Sequence, residues 1–173
     1  MALQSVNPFD NSLIRTYEEH TAEEIGRKIS STQEAWLKWK LINFPERAAY
    51  MQKAATILRS KTTQLARLMA LEMGKPVKAG AAEIEKCALC CEYYARHAEE
   101  FLQPEFVETE SARSYVSFQP LGIVLAIMPW NFPFWQLFRF LAPALMAGNC
   151  GILKHASNVS GCALAIDDII KEA

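Results

Sequence analysis

The 173-residue chain carries 18 Lys and Arg against 19 Asp and Glu, a formal net charge of −1 at pH 7, with 51% hydrophobic and 21% charged residues. That balance suits one water-soluble globular domain of ordinary size with a substantial core. The lack of a basic excess argues against nucleic acid or an anionic membrane surface as the main partner. The opening "MALQSVNPFD" has neither a cationic n-region nor an apolar h-region. No export signal is therefore expected, and the five cysteines are expected to be reduced thiols in the cytoplasm.

Taken in chain order, "NPFDNSLIRTY" reads as an edge strand or turn, with Leu13 to Tyr17 extended. "TAEE", Thr21 to Glu24, is a capping box. The spacing of Ile25, Ile29, Trp36 and Trp39 predicts a helix to about Lys40. Pro45 suits the first turn of a second helix, with Ala48, Met51, Ala55 and Leu58 on one face. Ser60 is expected to cap a third helix, stopped at "MGKP" by Gly and Pro. A fourth and longest helix covers Val77 to Leu102, with Ile84, Cys87, Cys91, Tyr94, Ala98 and Phe101 as its apolar face. Pro104 breaks this pattern, and Phe106 to Glu108 and Ser114 to Phe118 read as two strands. The last third reads as a strand at Gly122 to Ile127, a helix from Phe134 to Ala147, a strand at "CGILK", and an amphipathic helix from Val159 to Glu172.

Leu121 to Leu153 is long enough to span a bilayer, but Pro129, Asn131, Pro133, Arg139, Pro143 and Asn149 interrupt it. Burial in a protein core is the better reading. Strand, helix, strand, helix with apolar strands predicts an α/β fold, a parallel sheet covered on both faces. There is no internal repeat or low-complexity linker. Two parallel strands are few for a doubly wound sheet, so the chain is expected to be the opening part of a larger protein. An incomplete sheet edge and uncovered hydrophobic surface should follow.

In open α/β sheets ligands bind beyond the carboxyl ends of the strands. "MPWNFP" falls there, and Pro129 and Pro133 stiffen it. The Asn131 amide offers two donors, as an oxyanion site needs; equally, Asn serves as an Asx-turn or helix N-cap. Positions 131, 135 and 139 are four apart, which would place Asn131, Trp135 and Arg139 on one helical face. Arg139 in such apolar company needs an anion, either a substrate carboxylate or a protein Asp or Glu, unless its stem packs and its head reaches water. Lys154, at the end of the second strand, could hold a ribose hydroxyl or phosphate, or be an ordinary surface residue. Ser157 and Asn158 suit the last helix as caps. No G-x-G-x-x-G is present, so any dinucleotide is held otherwise. Cys87, Cys90 and Cys91 read as helix packing, Cys150 and Cys162 as filler, His20 as exposed and His155 as a crevice residue. No metal site is expected.

"PLGIVLAIMPWNFPFWQLFRFLAPALMAGNCGILKHASN" resembles the aldehyde dehydrogenase superfamily, and within it the succinate-semialdehyde dehydrogenases most. The resemblance runs from "NPFDNSLI" through "MGKP" to the last helix. It implies a helical part of the cofactor domain at 1–103, oligomerisation strands at 104–119 and a partial dinucleotide-binding βαβα unit at 120–173. It makes Asn131 the oxyanion-stabilising amide, and it places Ile127, Met128, Pro129 and Trp130 along the nicotinamide-ribose side of the groove. It makes Lys154 the adenosine-ribose lysine, with His155 beside the crevice. Ser157 stands where many NAD-preferring relatives carry glutamate, so NADP is permitted beside NAD. Phe132 and Trp135 would wall the aldehyde tunnel, and Arg139 would grip a distal carboxylate. The family's nucleophilic cysteine and general-base glutamate match nothing here, so the chain alone is expected to be inactive. The full-length enzyme is expected to be a cytoplasmic homodimer or homotetramer acting on a small aldehyde. The alternative is a truncated relative serving as a non-catalytic binding or assembly module.

Overall fold

The computed structural model describes residues 2–173. The chain opens with an antiparallel hairpin, β1 (Leu3–Val6) against β2 (Leu13–Tyr17). Four helices follow: α1 (Ala22–Trp39), α2 (Phe44–Ser60), α3 (Thr62–Met73) and α4 (Val77–Phe101). A second antiparallel hairpin, β3 (Glu105–Val107) with β4 (Ser114–Val116), leads to β5 (Ile123–Met128), α5 (Trp135–Met146) and β6 (Cys150–His155). A 3-10 turn, Ser157–Val159, then opens α6 (Ser160–Glu172). The α/β architecture and the order of elements are those expected, with β1 added.

Local chemistry explains most boundaries. Thr21 Oγ1 accepts from the Glu24 amide at 3.2 Å and Glu24 Oε2 accepts from the Thr21 amide at 2.7 Å, completing the capping box. Asn43 Oδ1 accepts from the Glu46 amide at 2.9 Å, and Pro45 occupies the first turn of α2. Gly74 ends α3 at φ 72°, left-handed backbone that glycine adopts without strain. Ser60 corrects its expectation: it is the last residue of α2, and its hydroxyl donates back to the Ile57 carbonyl at 2.8 Å. Lys61 precedes α3 without a side-chain cap.

The core lies where α4 packs on α2, α3 and α5, burying Leu58, Leu65, Met69, Ile84, Cys87, Cys91, Phe134 and Phe138. Phe101 departs from the expected apolar face: it is 49% exposed beyond the core, stacked with His97 and near Tyr93. Helix α1 buries no residue fully but is tied down by two indoles. Trp36 Nε1 donates to the Gly148 carbonyl at 3.1 Å, and Trp39 Nε1 to the Leu145 carbonyl at 2.9 Å. Buried Arg47 donates to Met146 O at 2.9 Å and Lys40 O at 3.0 Å, placing a cation on the carbonyl ends of α5 and α1.

Gly148, at φ +83°, sits against this guanidinium: a Cβ there would lie 3.0 Å from Arg47 Nη2. Gly148→Ala combines left-handed strain with a clash and should lower stability by about 2 kcal/mol. Thermal unfolding checks this; an unchanged midpoint would show that the arginine gives way freely.

Strands β5 and β6 pair in parallel from Ile123 opposite Cys150 to Met128 opposite His155. Asn149 Oδ1 accepts from the amides of Leu121 and Gly122, at 2.7 and 3.1 Å, which fixes the start of β5. Covering on both faces is not found: Ala126 is buried, whereas Leu125 and Ile127 are 61% and 68% exposed. The uncovered apolar surface expected beside a small sheet is therefore present on this side. Among the described residues no helix is long and apolar enough to cross a membrane.

Candidate active site at the carboxyl ends of the parallel strands

β5 and β6 end side by side, with Ile127 opposite Lys154 and Met128 opposite His155. The chain leaves β5 through a turn at Pro129–Phe134, and three groups hold that turn from behind. Lys75 Nζ donates to the Asn131 carbonyl at 3.0 Å. His155 Nε2 lies 2.9 Å from the Pro133 carbonyl, while its Nδ1 accepts from the Ala156 amide at 2.8 Å. The imidazole is thus neutral with its proton on Nε2. Glu83 Oε1 accepts from the amides of Phe134 and Trp135, both at 2.9 Å. Its Oε2 is paired with Lys75, whose ammonium also lies 3.8 Å from the Phe132 ring centroid.

This arrangement settles the two readings of Asn131. The first amides of α5 already have their acceptor in Glu83, so Asn131 is not the cap. Its side chain is exposed and makes no hydrogen bond among the described residues. The backbone of the turn is fixed while the carboxamide stays free, the condition for a preorganised donor. Helix α5 begins at Trp135, so Trp135 and Arg139 share its face and Asn131 sits in the turn ahead of it.

Helix α6 is served in the same way. Glu72, 2% exposed, accepts from the Gly161 and Cys162 amides at 2.8 Å each and also bonds Ser5 and Tyr17. Ser157 and Asn158 are consequently not caps; both are exposed at the end of β6. With carboxylates on the N-termini of α5 and α6, a pyrophosphate has no place there. The missing glycine fingerprint has its structural counterpart in this pair of acids.

His155 has both ring nitrogens engaged within the protein, so it supports the turn and offers no ring nitrogen to a nucleotide. Burial pushes its pKa below the ordinary 6.5. Below that unfolded value the unfolded state binds the extra proton, so stability is full above about pH 6.5 and falls as pH drops through the folded pKa. Unfolding midpoints between pH 7.5 and 5.5 should therefore fall more steeply in the native chain than in His155→Gln; parallel profiles would contradict the neutral role.

Beside the turn, α4 and α5 enclose an open cavity of about 450 Å³ lined by Lys86, Leu89, Cys90, Tyr93, Tyr94, Arg96, His97, Trp135 and Arg139. It gathers three cations and no carboxylate. Lys86 Nζ lies 3.9 Å from the Trp135 ring centroid, and Tyr93 and His97 stack at 4.7 Å. Arg96 leans toward Glu92 at 3.8 Å. Arg139 is exposed and has no ion-pair partner among the described residues, which removes an internal Asp or Glu as its anion. Trp135 and Arg139 thus share the cavity, whereas Asn131 and Phe132 lie outside its lining. Lys86 and Arg96 escaped the sequence reading, although Lys86, Cys90, Tyr93 and His97 recur on one helical face.

The crevice floor is accessible: Ile127, Pro129, Trp130 and Lys154 are exposed and Met128 is half-buried. Burial raises all five thiols above their ordinary pKa, Cys91 to about 12. A nucleophilic thiolate is not favoured at any of them.

A parallel pair ending in a proline-braced turn, with a free amide and a cationic cavity beside it, defines an α/β ligand-binding unit built for an anionic small molecule. Residues 1–173 match the aldehyde dehydrogenase family, and the chain belongs to that family. It is 48% identical over its whole length to a protein named probable succinate-semialdehyde dehydrogenase (NADP+) of Synechocystis sp., covering 38% of that protein. It is 42% identical to a succinate-semialdehyde dehydrogenase (NADP+) of Mycobacterium avium, over 98% of this chain and 37% of that one. The crystal structure of succinic semialdehyde dehydrogenase from Streptococcus pyogenes in complex with NADP+ superposes with a TM-score of 0.95 at 32% identity, covering 99% of this chain and 38% of that one. The chain thus spans about two fifths of the length of its relatives.

Proposed function

We propose that the chain is the N-terminal part of an NAD(P)-dependent aldehyde dehydrogenase that oxidises succinate semialdehyde, or a similar short semialdehyde, to the acid. The observation that carries this reading is the acid-free cavity of Lys86, Arg96 and Arg139 beside the Asn131 turn. A carboxylate at the far end of a short aldehyde would meet Arg139 there, with Lys86 and Arg96 adding to the field. Trp135 and Phe132 would confine the chain between the two ends, and the Asn131 amide would donate to the aldehyde oxygen as charge develops on it.

The residues present fit a dinucleotide. Exposed Ile127 and Trp130 offer an apolar floor beyond β5, and exposed Lys154 and Ser157 offer polar groups beyond β6. A hydroxyl at Ser157 can donate to a 2′-phosphate, so NADP is accommodated as well as NAD. When bound, the cofactor supplies the hydride acceptor. The nucleophile would lie outside this chain, whose five raised thiols are unsuited to it, so the chain by itself should not turn over. The β3–β4 hairpin, with Phe106, Val107, Tyr115 and Val116 exposed, supports a contact between subunits of a homodimer or homotetramer.

Arg139→Met in the full-length enzyme tests the assignment. The KM for succinate semialdehyde should rise at least about tenfold, as for a lost charge-assisted hydrogen bond. The KM for butanal, which has no carboxylate, should stay within about twofold. Equal changes for both aldehydes would overturn the carboxylate role.

A further inference from the structure

We infer that Lys75 is a positioning residue for the reaction, aiming the Asn131 amide through the backbone carbonyl of Asn131 itself. The inference rests on the reading of Asn131 as the donor to the aldehyde oxygen. Lys75 follows the glycine that ends α3, 56 residues before Asn131 in sequence. Its ammonium has three protons and a defined surrounding: the Glu83 carboxylate, the Asn131 carbonyl at 3.0 Å and the face of the Phe132 ring at 3.8 Å. The side chain is 8% exposed, so this charge has been taken out of water to make those contacts.

Burying an ammonium is costly unless it is paired and its remaining protons are satisfied. The Glu83 pair supplies the charge balance, and Glu83 has a second task in capping α5. Packing alone would be met by an apolar side chain at position 75 and a neutral amide at position 83. What the ammonium adds is a donor on the carbonyl of the very residue whose side chain is free. Fixing that carbonyl fixes the peptide plane, and with it the direction of the Cα–Cβ bond that carries the amide. His155 does the same two residues later at Pro133, so the turn is held on both sides of Phe132. A displacement of about 1 Å at the donor is enough to lower a rate by roughly 10²-fold.

The test uses the full-length enzyme. The double variant K75M/E83Q removes both buried charges together and keeps an amide oxygen for the Phe134 and Trp135 amides, so the lost contact is the donor on the Asn131 carbonyl. The expected result is a fall in kcat of at least tenfold, with KM for aldehyde and cofactor within twofold. The same change made in an Asn131→Ala background should cost no further kcat, because the amide being aimed is gone. A structural role alone would lower the unfolding midpoint and leave kcat per folded site unchanged.

Should K75M/E83Q fail to fold, Lys75→Arg carries the test. It keeps the charge opposite Glu83, but its planar fork cannot reproduce the ammonium geometry. Its kcat should fall at least threefold, again with no further loss when Asn131 is Ala. Wild-type kcat in the variant carrying the test, or a loss that persists without the Asn131 amide, overturns the role of Lys75. If Asn131→Ala alone leaves kcat intact, the donor reading of Asn131 falls first and takes this inference with it.

Discussion

Replacing Asn131 by Ala in the full-length enzyme should lower kcat by about 10²–10³-fold, the loss usual for one oxyanion donor. The size follows from the turn. Its backbone is tied at Asn131, Pro133, Phe134 and Trp135 by Lys75, His155 and Glu83, and the carboxamide has no partner of its own. Loss of the amide should therefore leave the fold intact. Substrate binding should change little, because the donor gains most when the carbonyl oxygen becomes negative. Pre-steady-state and steady-state rates with succinate semialdehyde, beside an unfolding curve, measure both. A variant with normal kcat would show that the exposed amide serves no reacting atom.

The second large effect is on stability. Glu83 is 4% exposed, carries the balancing charge for Lys75 and accepts two amides at the start of α5. Glu83→Ala leaves a buried ammonium without its anion and two helix donors without an acceptor. Removing one partner of a buried pair costs about 3–5 kcal/mol. Marginal domains have only about 5–15 kcal/mol in total, so the variant should be close to unfolding at physiological temperature. Denaturant titration of the protein decides; a loss below about 1 kcal/mol would mean that water or a rearranged turn replaces the carboxylate.

What could be read from the sequence was what is encoded locally. The capping box at Thr21, the proline at position 45 and the glycine at position 74 each act within one helical turn, and each boundary fell where expected. The parallel pair, its proline-braced turn and the helix bearing Trp135 and Arg139 were legible for the same reason. The supports of the site were not. Glu83 acts 51 residues from its amides, Lys75 56 residues from its carbonyl, Glu72 90 residues from Cys162 and Arg47 99 residues from Met146. On a helix such acids read as solvated surface, because nothing in the local pattern distinguishes a glutamate that caps a distant helix from one that faces water. Strand β1 was missed because its four residues are defined by pairing with β2. Ser60 was misplaced because α2 and α3 almost abut, so a residue that looks like a start is an end.

Three cations in one cavity without an acid give the account its central claim, that the substrate carries a carboxylate beyond its aldehyde. The ratio of kcat/KM for succinate semialdehyde over butanal, measured in one buffer with the full-length enzyme, tests it most directly. A buried, multiply hydrogen-bonded carboxylate should favour the acid by roughly 10²-fold or more. Equal values for the two aldehydes would contradict the claim and leave the cavity without its ligand.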